Sequence, residues 1–556
     1  MSAVSADVGP VVTHEVFNQS IPRVDLDEFE CNVPLREAVE SHHGEWALEH
    51  LHEAGRVYGA ADYKRWAVEA NVNQPVLQRF DRYGNRIDEV EFHPAWHEVI
   101  SRSVGLGTHA FAWREPRVGA HVTRAALMVM LSQVEPGHGC PIGMTYSVVP
   151  ALRRQPELAA EWEPRLTSLD YDFGLRPGVE KRGVLAGMGM TEKQGGTDVR
   201  ANTTRALALN GGGPGGEYVL RGHKWFTSAP MCDVFLVLAQ VEAGLSCFLV
   251  PRVLPDGTRN AVRIERLKDK LGNQSNASAE LELDGTWAQM VGEPGRGVPT
   301  IIEMVNHTRL ECVLGTTGGM RDAVSEALWH AAHREVYGAR LLDQELMTNV
   351  LADLCLESEA ATWAAMRLAR SFDEQISERE VLFKRLATPV LKYWICKRGP
   401  NHAFEALECL GGNGYCETFP LARRYREQPL LSIWEGSGNV MCLDVLRALQ
   451  RSPQSLDAFL FEIELASGAN PHLDAYIADL PRQLGDPQAG VRHARRMVER
   501  MALALQASLL VRHAPAVVAD AFCASRLTPE HSYEYGTLAG PTNLRAIVAR
   551  HAPHLD

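Results

Sequence analysis

Paired cysteines are missing from this chain. The 11 cysteines stand singly from Cys31 to Cys523, none in a Cys-x-x-Cys arrangement. Neither a zinc site nor a redox dithiol is therefore signalled, and a free-thiol protein of the reducing cytosol is the expectation. No run of about 18 apolar residues occurs, so no membrane-spanning helix is implied. The opening MSAVSADVGPVVTHEVFNQ has no basic head followed by an apolar stretch and does not read as a signal peptide. Positive charge is also scarce. A net charge of −13 argues against a surface coated with nucleic acid, while leaving room for a local basic face. No internal repeat, zinc-finger spacing or basic zipper is present.

What is present is ordinary globular material, with 45% hydrophobic and 22% charged residues. At 556 residues the chain is too long for one core and predicts three or four packed units. Residues 1–35 carry Pro10, Pro22 and Pro34 with little periodicity and read as an extended arm. From Leu35 to about Arg165 apolar residues fall mostly at helical spacing, with breaks expected at Gly105 and Gly107, Pro136-Gly137 and Pro141. Near Gly183 the pattern changes to short β-rich runs, such as Val234-Phe-Leu-Val-Leu-Ala, punctuated by Gly and Pro. Gly211-Gly-Gly-Pro-Gly-Gly reads as a hairpin tip.

Helical periodicity returns from Val298 to about Gln450, most clearly over Met320–Val336 and Leu346–Ser371. The last hundred residues predict at least two helices, one from about Pro487 to His513 and one from Leu544 to Arg550. The expected organisation is an α+β multidomain chain. It has an arm and helical domain over 1–182, a middle β domain over 183–292, a helical bundle over 293–450 and an extra helical region over 451–556. This order is neither alternating βα nor all-helical.

Three groups of residues stand out against that background. Met188-Gly-Met-Thr-Glu-Lys-Gln-Gly-Gly-Thr-Asp198 opens the β unit, and Gly222-His-Lys-Trp-Phe-Thr-Ser228 lies within it. Leu410-Gly-Gly-Asn-Gly-Tyr415 and Ile433-Trp-Glu-Gly-Ser-Gly-Asn439 lie in the bundle. Their order and spacing resemble the acyl-CoA dehydrogenase family. The wording MTEKQGG-x-D, HKWF, RLKDKLGN-x-SNAS and SIWEGSGN-x-MCLDVLR resembles its AidB-like branch, from about residue 13 to 450.

The resemblance implies FAD as cofactor, seated between the β domain and the bundle. Met188, Gly189, Met190 and Thr191 would lie along the flavin. Gly195, Gly196 and Thr197 would let the backbone approach the pyrophosphate. Trp225, Phe226, Thr227 and Ser228 would face the other side of the ring. Ile433, Trp434, Gly436, Ser437, Gly438 and Asn439 would meet the cofactor from the bundle; Ser437 or Asn439 also reads as a plain helix N-cap.

Glu435 matches the family's catalytic base, which takes the α proton of an acyl thioester while the β hydrogen leaves as hydride. Taken alone, it reads more readily as a solvated or capping glutamate before a glycine turn. Arg334, in Arg334-Glu-Val-Tyr-Gly338, resembles the family's Arg-x-x-Phe-Gly signature, which reaches FAD in a neighbouring subunit, and a homotetramer is implied. Two departures appear there: Glu345 and Glu408 stand where glutamines are usual.

The branch is also associated with DNA binding through its C-terminal region. Arg492, Arg496 and Arg500 share one helical face, with His493 and Arg495 beside them and Arg447 in the MCLDVLR segment. Such a stripe suits phosphates, although a charge run is usually a solvated face, here partly balanced by Glu499. Three functions follow as expectations. The first is α,β-dehydrogenation of an acyl-CoA, short or branched. The second is a double-stranded-DNA-associated flavoprotein of the alkylation response, with weak or vestigial dehydrogenase activity. The third is a flavin-dependent oxidase acting on another small molecule. No metal or membrane partner is implied, and the cytoplasm is the expected location.

Overall fold

The computed structural model describes residues 13–373, 376–484, 490–529, 532–540, 542–552 and 554, with 482–484 described by their backbone. Pro10 and Pro487, used above as sequence markers, lie outside these residues. Among the described residues no helix is long and apolar enough to cross a membrane.

The N-terminal helices are α1 (Val33–Ser41), α2 (Leu48–Gly59), α3 (Ala61–Val72), α4 (Pro94–Gly105), α5 (Phe111–Arg114), α6 (Ala120–Val134), α7 (Gly139–Leu152) and α8 (Pro156–Leu166). Two departures from the sequence reading appear here. An antiparallel hairpin, β1 (Val76–Phe80) with β2 (Arg86–Glu91), interrupts the helices. Its turn is built by Asp81, whose carboxylate accepts the amides of Tyr83 and Asn85, and by Gly84 at φ +86°. Arg79 and Arg86 tie it to Glu265 of the β domain. Pro141 does not break α7. It occupies the third position, where no backbone N–H has a helical partner to lose.

The β elements are β3 (Ala186–Gly189), β4 (Arg205–Ala208), β5 (Glu217–Ser228), β6 (Val234–Val241), β7 (Gly244–Pro251), β8 (Val262–Leu267) and β9 (Ser278–Val291). Neighbours run β3-β6-β4-β5-β9-β7, and β7 pairs back onto β6, so the sheet closes into a small barrel with β8 on β9. Val234–Ala239 is buried on both faces, which explains its unbroken apolar run. The glycine stretch at 211–216 connects the antiparallel pair β4 and β5. Between Lys224 and Thr227 the β5–β9 register slips by one residue, a bulge that takes Trp225 and Phe226 out of the ladder.

The bundle is built on α9 (Gly297–His333), whose 37 residues are mostly buried. α10 (Glu345–Arg370), α11 (Glu378–Cys409), α12 (Pro420–Leu431) and α13 (Gly438–Arg451) complete it. The sequence pattern carries the α9 helix to Val336, but it ends at His333. Tyr337 (φ +55°) and Gly338 (φ +81°) reverse the chain there, and Glu335–Val336 (β10) pairs with Ala339–Arg340 (β11).

The C-terminal region holds α14 (Gln454–Glu464), α15 (Pro471–Leu484), α16 (Gly490–His513), α17 (Ala516–Arg526) and α18 (Leu544–His551). It is not an appendage. α16 packs on α10, α11 and α13, Trp394 donates to Gln506 at 3.0 Å, and Arg550 pairs with Glu359 and Glu37.

Candidate active site

The two flavin-type segments of the β domain lie side by side. The Trp225 amide donates to the Thr191 carbonyl at 2.8 Å. A β carbon at Gly189 would come within 3.5 Å of the Thr227 hydroxyl. What locks them together is a pair the sequence reading passed over. Glu192, from the first segment, and Lys224, from the second, are both fully buried and paired at 2.9 Å. The Glu192 carboxylate also accepts from Gln194 and from the amides and hydroxyls of Thr203 and Thr204, and so is saturated. Burial pushes its pKa up, but Lys224 and the threonine donors hold it well below the usual carboxylate range. The available signal was one buried-type charge of each sign, one in each motif.

Gly195, Gly196 and Thr197 are exposed, with Gly195 at φ +128°. A side chain on Gly196 would strike the Thr191 hydroxyl. The loop therefore presents bare backbone, as close approach of a diphosphate requires. At the bulge, Phe226 is 56% exposed, while Trp225 is covered by the Lys268 ammonium 3.2 Å from its ring centre. The Thr227 hydroxyl is buried and has no hydrogen-bond partner among the described residues.

The bundle supplies Glu435, between α12 and α13. Its backbone lies in the left-handed region (φ +58°), followed by Gly436 at φ +111°. A non-glycine residue pays on the order of 1 kcal/mol for this conformation. The turn is gripped by its carbonyls: Arg309 of α9 donates to that of Glu435 at 3.1 Å, and Lys392 of α11 to that of Gly436 at 2.6 Å. The carboxylate itself receives one bond among the described residues, from the Thr308 hydroxyl at 2.7 Å. Burial raises the Glu435 pKa above its ordinary value, against the pull of Thr308, Lys392 and Arg309. Thr308, Arg309 and Lys392 belong to no recognisable motif, so sequence reading had no handle on them.

Beside Glu435, the Trp434 ring nitrogen is buried and has no partner among the described residues, and Ile433 is 60% exposed. Ser437 is the N-cap of α13 but its side chain makes no capping bond. Asn439 accepts instead from Arg495 of α16 at 2.9 Å. Cys140, at the start of α7, joins the two halves. Its thiol lies by the Ser228 hydroxyl, and burial, with Glu435 nearby, pushes its pKa up to about 12. One turn along α7, Gly143 abuts the carboxylate of Glu311, which is paired with buried Arg124.

Two sets of expected site residues are not brought to this place. Arg334 follows the far end of α9, roughly 40 Å from Thr308 at 1.5 Å per residue. It donates to the Asn18 carbonyl of the arm. Arg447, Arg492, Arg495 and Arg496 are exposed on the adjoining helices α13 and α16. Arg500 departs from the expected stripe: it is half-buried, bonded to Asp479 at 3.1 Å and stacked over Tyr476. Among the described residues no cluster of three or more His, Cys, Asp or Glu could hold a metal.

A buried hydroxyl and an indole nitrogen without partners among the described residues, exposed apolar faces at Phe226 and Ile433 and a bare glycine loop fit a flavin dinucleotide. Comparisons with known proteins agree. Residues 18–173 match the adaptive response protein AidB N-terminal domain. Residues 187–286 and 295–450 match the acyl-CoA dehydrogenase middle and C-terminal domains. The chain is 44% identical to the putative acyl-CoA dehydrogenase AidB of Escherichia coli (strain K12), over 92% of this chain and 94% of that protein. It is similar to the structure of Caenorhabditis elegans ACDH-11 in complex with C11-CoA, with a TM-score of 0.83 at 25% identity, covering 98% of this chain and 93% of that one. It is also similar to the apo form of Bd2924, with a TM-score of 0.81 at 29% identity, covering 90% and 100%.

Proposed function

Because this chain belongs to the acyl-CoA dehydrogenase family of FAD-dependent oxidoreductases, and to its AidB-like branch, we propose that it dehydrogenates an acyl thioester with Glu435 as the base. The observation that carries this reading is the state of the Glu435 carboxylate. It is left with one donor, is raised by burial, and sits across from Cys140 and Ser228. A carboxylate prepared in this way takes a proton near neutral pH. Thr308 orients it, and Arg309 and Lys392 hold the turn that presents it. Met188–Thr191, Gly195–Thr197 and Trp225–Ser228 would hold FAD from the β side, and Ile433, Trp434 and Gly436–Asn439 from the bundle. FAD, when bound, supplies the hydride acceptor.

A short or branched acyl chain is favoured. One turn beyond Cys140 the contact between α7 and α9 is closed by the Arg124–Glu311 pair against Gly143. A long apolar chain could not enter there without displacing buried charge. The ACDH-11 complex contains C11-CoA, so chain length is a point on which the two proteins are expected to differ. The test is anaerobic titration of FAD-loaded protein with a panel of acyl-CoAs, watching the oxidised flavin absorbance. Rapid bleaching by a short member supports the reading. A flavin that stays oxidised with every thioester refutes it, and fast reaction of chemically reduced flavin with oxygen would then favour an oxidase.

A second reading rests on the exposed Arg447, Arg492, Arg495 and Arg496 of α13 and α16. It is sequence-independent binding of duplex DNA, falling steeply with added salt. A homotetramer that brings Arg334 of one copy to the flavin of another, a cytoplasmic location and the unit boundaries near 182, 292 and 450 complete the proposal.

A further inference from the structure

Lys392 is buried to 1% exposure, and its nitrogen donates to one group among the described residues, the Gly436 carbonyl. No carboxylate of those residues lies within ion-pair distance of it. A buried ammonium bonded only to a neutral carbonyl is costly unless a counter-charge sits close by. The charged and titratable groups around Lys392 and Glu435 are Arg309, Glu311 and Cys312 of α9, Cys396 and Lys397 of α11, Cys140 of α7 and, through Arg309, Asp444 of α13; Glu311 is held by Arg124. Cys140, Cys312 and Cys396 are neutral thiols, pushed up by burial. Asp444 is shared between Arg309 at 2.8 Å and Arg385 at 2.9 Å, so this cluster keeps a net positive charge and offers Lys392 no spare anion. Glu435 remains as the anion that feels the Lys392 charge.

We propose that Lys392 is a positioning residue for the proton-abstracting carboxylate: its ammonium fixes the left-handed Glu435–Gly436 turn through the Gly436 carbonyl and serves as the counter-charge of ionised Glu435. This rests on Glu435 being the base. The lysine reaches the carboxylate by two routes, mechanical and electrostatic, and the two can be separated. Lys392→Gln keeps an N–H for the carbonyl and loses the charge. Lys392→Met, of similar volume, loses both, and Lys392→Arg keeps both.

The experiment uses FAD-loaded full-length protein, with flavin content checked for each variant. The first readout is the pH profile of thioester bleaching. The second is the pH titration of the Glu435 carboxyl band by infrared difference spectroscopy, identified by its loss in Glu435→Gln, with no substrate present. Expected for Lys392→Gln and Lys392→Met is an upward move of both midpoints by about one pH unit or more, roughly tenfold in rate on the acid side. Lys392→Arg should restore the parental midpoint. Unmoved midpoints in Lys392→Gln, with flavin content intact, overturn the proposal. If no thioester bleaches even the parent, the dehydrogenase reading fails, and the infrared titration alone decides the role of Lys392.

Discussion

Glu192 and Glu435 stand on the two sides of one site, each inside a glycine-bearing motif, and the fold treats them oppositely. Glu192 is fully buried, paired with Lys224 and saturated by Gln194, Thr203 and Thr204, and its pKa is held down. Glu435 is half-buried, receives among the described residues only the Thr308 hydroxyl, and its pKa is pushed up. A carboxylate whose lone pairs are all occupied acts as a fastening; one left short of donors is the kind that would serve as the proposed base.

That contrast is breakable. Glu435→Gln is expected to slow thioester bleaching by about 10²–10⁴-fold while leaving flavin bound and the urea midpoint close to parental. Glu192→Gln should do the reverse in kind. It strands Lys224 in the core and costs about 3–5 kcal/mol in urea unfolding. If instead Glu192→Gln unfolds like the parent, the idea of a fastening fails.

The pH dependences sharpen the same point with opposite signs. The pKa of Glu192 is lowered in the fold, so its stabilisation is present above the ordinary value of 4.5 and fades as pH drops below it. Parent and Glu192→Gln stabilities should therefore converge in acid. The pKa of Glu435 is raised, so bleaching should fall off on an acid limb centred above 4.5. A limb at or below that value contradicts the burial argument. Thr308→Val removes the donor that favours the ionised form and should move this limb up by about one unit. The smallest effect is expected at the tail. Arg500→Ala should cost at most about 1 kcal/mol and leave duplex binding unchanged, because its charge already faces Asp479. The joint change of Arg492, Arg495 and Arg496 to alanine should weaken duplex binding and flatten its salt dependence, if DNA is bound.

The order of helices, barrel and bundle was legible because hydrophobic period reports which faces are buried, and long runs such as Leu346–Ser371 repeat it many times. The flavin-type segments were legible because glycines at 195, 196 and 436 and the aromatics at 225 and 226 are local demands of backbone and surface. The hairpin at 76–91 was missed because five- and six-residue strands leave too little period to outweigh helical neighbours. The tail was read as at least two helices, and the described residues hold five; α14 and α17, 11 residues each, draw their stability from docking rather than pattern.

By itself the sequence determined the family pattern and the order of helices, barrel and bundle, because those requirements are written into neighbouring positions. Only the tertiary structure decided what each charge does. Whether a glutamate is saturated or spare, whether Arg500 is free or paired, and which lysine faces Glu435 depend on groups hundreds of residues apart in the chain. Electrostatic and hydrogen-bond energies are set by separation in space and by burial, and one-dimensional spacing carries neither.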